Sequence, residues 1–197
     1  MASTAPMRST TRLAEIRHTP GQVRVIKAAL ELFAEYGVAG TSLQMIADRM
    51  GVTKAAVYHK FQTKAEIVIA TADHELVVLE EAVEQAETAP DRVEARRVLL
   101  GRLIDYSVRN RAQVRAWQGD PAMIRVLAEH EPFSSLTARI YAQLVTEDDD
   151  GDRRVSTAML AGAITAVGQP GLADIDDDSL SRQVYRYASR LLDLPAA

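Results

Sequence analysis

Thr41-Ser-Leu-Gln-Met-Ile-Ala-Asp-Arg-Met-Gly-Val-Thr-Lys-Ala-Ala-Val-Tyr-His-Lys-Phe-Gln-Thr-Lys64 governs how this 197-residue chain folds. Leu43, Ile46, Ala47 and Met50 recur at i, i+3, i+4 and i+7, the spacing of one helix face packed on a core. Ser42 supplies an N-cap. Gly51 permits the left-handed backbone that a tight turn requires. Thr53 caps a second short helix whose inward residue is Val57. Small Ala47, Gly51 at the turn and β-branched Val57 stand four and then six residues apart. Two helices can cross closely only over such small residues, so the stretch predicts a helix-turn-helix.

The preceding residues continue the theme. Pro20 suits a first helical turn, and Val23, Ile26, Leu30, Phe33 and Ala34 form one apolar stripe. Glu35-Tyr36-Gly37 ends that helix, with Gly37 as a left-handed cap. The three helices make a unit of about 45 residues, too small to be robust alone, so it must lean on the remainder of the chain. Residues 1–19, rich in Ser, Thr, Ala and Arg, read as a flexible basic arm able to reach DNA or to serve no role at all.

Charge is divided along the chain. Residues 1–64 carry nine Lys and Arg against four acids, a net of +5, whereas the rest carries 14 against 23, a net of −9. A basic head on an acidic body points to a head that meets a polyanion. There is no cysteine, which removes disulfides, thiol chemistry and cysteine-rich zinc sites. No apolar signal-peptide core appears at the N-terminus, and the longest apolar run, Ala158 to Val167, is too short for a bilayer. A cytoplasmic protein is the expectation.

Beyond the head, every segment reads as helix. A long helix is predicted from Lys64 to about Thr88, ended by Ala89-Pro90. Others are predicted over about 92–110, to Trp117, 122–130, 133–145, 153–167 and 179–192. The acidic runs Glu147 to Asp152 and Asp174 to Asp178 are loops between them. The fold class is all-α, divided into the arm (1–19), a helix-turn-helix domain (20–64) and a larger helical domain (65–197), whose reading as a ligand-binding and dimerisation domain comes from the resemblance that follows.

Gly37, Gly40-Thr41-Ser42, Ile46-Ala47, Gly51-Val52, Val57-Tyr58, Phe61 and Lys64 fall at linked offsets, and over about residues 21–70 the chain resembles the DNA-binding domain of the tetracycline-repressor (TetR) family of transcriptional regulators. One place departs from the family pattern. A His often precedes the Phe, and here Lys60 stands before Phe61. The resemblance implies a homodimeric repressor of a palindromic double-stranded DNA operator, released by a small-molecule inducer. Activation in place of repression is also open.

In such a protein the second short helix enters the major groove. Thr53, Lys54, Ala55 and Ala56 stand at its leading end, with Lys54 suited to guanine acceptors and Ala56 to a thymine methyl. Tyr58, His59, Lys60 and Lys64 are expected on phosphates, where they fix register. Ser42, Leu43 and Gln44 open the preceding helix and can offer amides to phosphate. In the body, His74, Tyr106, Trp117, Met123, Phe133 and Tyr141 combine apolar surface with polar tips, the make-up of a ligand pocket or of ordinary core. Ala158, Gly162, Thr165 and Ala166, with the stripe Leu180, Val184, Tyr187, Ala188 and Leu191, form an expected dimer seam, or else an internal core face. The family dimerises through its last two helices, which favours the seam.

Other chemistries find no support. The four histidines lack metal-ligand spacing. The Asp148 to Asp152 run has its glycine at the fourth position and Met159 at the twelfth, which breaks the calcium-loop pattern. No phosphate-cradling Gly-rich loop or nucleophile elbow occurs, so neither a cofactor nor an enzymatic activity is expected. A helical scaffold that has lost DNA reading is the other alternative, resting only on Lys60.

Overall fold

The structure, a computed structural model, describes residues 12–118, 121–145 and 150–195, and for 118, 121–123 and 150 the backbone alone. Ten α-helices make up the described chain, with no strand among the described residues. The head consists of α1 (Pro20–Gly40), α2 (Leu43–Met50) and α3 (Lys54–Tyr58). Then come α4 (Lys64–Thr88), α5 (Arg92–Arg109), α6 (Arg111–Gln118), α7 (Pro121–Glu129), α8 (Glu131–Leu144), α9 (Asp150–Ala166) and α10 (Asp177–Leu191).

The helix starts are written in capping chemistry. Thr19 and Gln22 exchange hydrogen bonds as a capping box, with Pro20 in the first turn. Ser42, Thr53, Thr63, Asp91 and Asp176 each accept a backbone N–H at the start of α2, α3, α4, α5 and α10. Each such cap is worth about 1 kcal/mol. Gly51 takes φ 65°, ψ 34° at the turn between α2 and α3, where a side chain would be strained.

The regular part of α1 ends at Gly37, as expected, and a further turn follows it. The positive φ of 71° at Gly37 puts a break in the helix, and the further turn extends to Gly40. The carbonyls freed by the break find partners in Thr41, whose hydroxyl donates to Leu32 O and Gly37 O, and in Lys64, whose ammonium donates to Val38 O at 2.9 Å and Thr41 O at 3.2 Å. The sequence places Lys64 on phosphate. In the structure it instead closes the C-terminal end of α1 and ties it to the first residue of α4.

Head and body share a continuous core. Val25, Ile26, Phe33, Ile46, Val57, Ile67 and Val68 are all buried, and α1 packs on α4 and α6. The small head thus gains the support that its size demands. On its outer side, Arg49 clamps α2 to α1 through Glu35, in a two-pronged pair, and through Glu31.

Three expectations are corrected here. His74 is exposed and lies outside the body cavity, because its neighbour Asp73 takes the inward position of α4. Leu180 and Ala188 are each 2% exposed and belong to the internal core, because α10 packs this side of its stripe on α5. Thr165 lines the body cavity, so the inner side of α9 carries it away from the outer seam. Met123 is among the residues described by backbone alone, so its expected pocket role lies outside the described side chains. Residues 1–11 of the arm also lie outside the description, whereas the end of the arm is bonded to α4 through the Leu13 and Ala14 amides.

Candidate DNA interface and body cavity

α3 is a single short helix whose inward residue, Val57, is fully buried, as is nearly all of Phe61 just beyond. Everything else on it faces out. Thr53, Lys54, Ala55, Ala56, Tyr58, His59 and Lys60 are exposed. Lys54 and Tyr58 sit one turn apart with the ammonium 5.8 Å from the ring centroid, a cation–π distance that holds both on one side. Ser42 spends its hydroxyl on Met45 N–H, Leu43 packs against the core, and the Gln44 amide donates to Asp48 at 2.7 Å. Gln44 is therefore oriented along α2.

Lys60 reaches a second helix. A Cβ added to Gly21 would stand 2.9 Å from Lys60 Cε, so the lysine stem lies directly over the second residue of α1. Its ammonium thereby sits beside the N-terminus of a 21-residue helix. Two positive fields coincide there, the side chain's charge and the helix dipole. The absence of a side chain at Gly21 leaves the room.

The body contains a cavity of about 550 Å³ walled by α4 to α9. Tyr106, Trp117, Phe133 and Tyr141 all line it, together with apolar residues such as Leu103 and Leu127. Ile164 and Thr165 of α9 join the lining, a role the sequence does not signal. A period-3.6 stripe of small residues does not reveal which side faces inward. Burial pushes the Tyr106 and Tyr141 phenols above their ordinary values, with a nearby Glu75 adding to the effect at Tyr106, so both stay protonated. The Tyr106 hydroxyl and Trp117 Nε1 are buried without a hydrogen-bond partner, a cost of about 1–3 kcal/mol for each donor.

Between cavity and head runs a set of polar fastenings on α4 that the sequence reading missed. Asp73 and Glu80 are each 4% exposed and stand seven residues apart on one face. Asp73 Oδ1 meets His130 Nε2 at 2.7 Å, at the junction of α7 and α8. The Glu80 carboxylate accepts the Leu13 and Ala14 N–H groups at 3.2 and 3.0 Å, and Arg139 of α8 approaches it at 3.8 Å while forking onto Glu87. Leu13, in a one-turn 3-10 helix (Leu13–Glu15), is itself buried. Residues 12–16 are therefore a strap bound to α4. The legible signal was the pair of acids at i, i+7 on an otherwise apolar face.

His18 follows the strap by two residues and lies between it and α1. Burial is the largest influence on it and holds its imidazole below the ordinary value, aided by His74 and opposed by Asp73. A released strap would thus take up a proton more readily than a docked one. The strap's hold is complete above the ordinary histidine value of about 6.5 and weakens as pH falls through it. Amide exchange over 12–19, corrected for intrinsic rates, is expected to speed up between about pH 7.5 and pH 5.5; equal protection at both would show that His18 has no part in the docking.

Comparison with known proteins bears on the head and on the overall fold. Residues 25–71 match the family model described as bacterial regulatory proteins, tetR family. Over 56 residues the chain is 45% identical to the HTH-type transcriptional regulator SrpR of Pseudomonas putida, covering 27% of this chain and 26% of that protein. The chain thus matches about a quarter of the length of such curated relatives. Solved structures match nearly throughout. A TetR/AcrR-family transcriptional regulator from Thermobifida fusca is similar over 91% of this chain and 100% of its own, at 26% identity and TM-score 0.59. NalD of Pseudomonas aeruginosa, the secondary repressor of the MexAB-OprM efflux pump, shares the fold at 22% identity and TM-score 0.64, over 86% of this chain and 94% of its own.

Proposed function

We propose that this chain is a regulator of the TetR kind, whose family model its residues 25–71 match, and that it acts as a homodimeric repressor that binds a palindromic operator and is released by a small molecule held in the body cavity. One observation carries the DNA reading. On α3 only Val57 is buried, and the rest of the segment, with Lys54, Tyr58, His59 and Lys60, is exposed. In this reading Lys54 and Ala56 meet base edges, while Lys60, with the α1 N-terminus behind it, meets a phosphate. The protein acts by binding and carries no catalytic role.

Release is a coupling free energy. A ligand that favours one arrangement of α7 and α8 must weaken DNA binding by the factor by which DNA weakens ligand binding. α4 is the natural carrier. Lys64 fixes one end of it to α1, and Asp73, Glu80 and Glu87 attach its middle to His130 and Arg139. The exposed hydrophobic residues Val155 and Met159 of α9 and Tyr187 of α10 support the dimer, since surface apolar groups of that size cluster at interfaces.

Two substitutions test the DNA reading together. Lys60→Ala is expected to weaken binding to all sequences alike and to flatten the salt slope by about one unit, whereas Lys54→Ala costs about 1–3 kcal/mol and relaxes preference at one base pair. The measurement is selection of bound DNA from a random pool, followed by titrations at several salt concentrations. No salt-dependent binding by the unmodified protein would overturn the regulator reading.

A further inference from the structure

We infer that the body cavity selects an uncharged, largely apolar molecule carrying a hydrogen-bond acceptor, which the Tyr106 hydroxyl and Trp117 Nε1 receive. The inference deepens the ligand-binding reading above and rests on it.

Among the described lining residues none bears a charge; the wall is aliphatic and aromatic, with hydroxyls and one indole. An ion entering such a wall leaves water without meeting a counter-charge, which disfavours both anions and cations. The ionic groups of α4 stand outside the lining, Glu75 near Tyr106 among them. Asp73 holds His130, and Glu87 holds Arg139. The polar groups in the wall differ in what they have left to give. Ser107, Thr137 and Thr165 donate their hydroxyl protons to carbonyls of their own helices, Leu103 O, Phe133 O and Gly162 O. The Tyr106 hydroxyl and Trp117 Nε1 are buried and have no partner. One of these, the indole, can only donate. Two donors without acceptors, on α5 and α6, call for an acceptor on the occupant. A carbonyl, ether or ring nitrogen answers, and a hydrocarbon does not.

The chain's single tryptophan is Trp117 itself, so its emission reports directly on the cavity. The test uses the full chain without DNA and four probes built on one skeleton. These are benzophenone, diphenylmethane, 4-benzoylbenzoate and (4-benzoylbenzyl)trimethylammonium, followed by calorimetry and by Trp117 emission. Benzophenone is expected to saturate the site and to bind at least roughly a hundredfold more tightly than either charged relative. Tyr106→Phe should weaken benzophenone by roughly two- to tenfold and leave diphenylmethane unchanged. A charged probe that binds as well as benzophenone would overturn the inference, as would an unchanged benzophenone-to-diphenylmethane ratio in Tyr106→Phe, or saturation by none of the four. The DNA reading fails separately. If benzophenone binds as expected but does not alter DNA affinity, the ligand class stands and the inducer role falls.

Discussion

Replacing Phe33 by alanine is expected to lower the free energy of unfolding by about 3–5 kcal/mol, the usual cost of emptying a fully buried aromatic site. Phe33 has no exposed surface. It lies where α1 meets α6, beside a crevice it shares with Ala112 and Ala116. Two things are lost at once. The ring's burial goes, and the head loses its seat on the body. A domain of ordinary stability, about 5–15 kcal/mol, cannot spare much of that. The measurement is urea unfolding followed by far-ultraviolet circular dichroism, with midpoint and slope compared. A loss under about 1 kcal/mol would mean that the α1–α6 contact contributes little and that the head is held elsewhere.

The second large effect concerns assembly. Val155, Met159 and Tyr187 are each more than half exposed and stand on two helices that pack on one another. Met159→Arg combined with Tyr187→Arg is expected to convert the proposed dimer into a 21.6 kDa protomer, because like charges brought into its seam repel and cannot be desolvated. Neither side chain belongs to the protomer's core, so folding should survive. Operator affinity should fall by a factor on the order of 10² to 10⁴ as the second half-site stops being an intramolecular partner. Sedimentation velocity reads the first effect and DNA titration the second. A dimer that persists in the double variant would place the seam on another surface.

What could be read from the sequence divides along physical lines. The head was legible because its information is local. Ser42, Gly51 and Thr53 act within one turn of themselves, and Val57 is inward on any helix that crosses Ala47. The body's helices were legible for the same reason, to within a few residues at each end. What escaped was tertiary choice. Leu180 and Tyr187 lie on one stripe of α10, and only packing against α5 decides that the first is core and the second is surface. Thr165 faces the cavity because of the rotation of α9, which no single helix encodes. Lys64 carried the charge of a phosphate ligand, but the break at Gly37 opened carbonyls within its reach. Asp73 and Glu80 were hidden by their partners, which are 57 and 59 residues away in α8 and its leading edge, or some 66 residues back in the strap.

The strap has a practical corollary for anyone exchanging parts between regulators of this kind. By its bonds, the segment from Arg12 to Ile16 belongs to the middle of α4, although it precedes the head in sequence. A graft that moves the whole N-terminus onto another body would carry these residues away from Glu80 and leave its buried carboxylate with Arg139 alone, at 3.8 Å. The transplantable cassette begins at Thr19, whose capping box closes on Gln22 alone, and must include Lys64 to seal the far end of α1. Chimeras joined at those two points keep the strap with Glu80 and Lys64 with the end of α1.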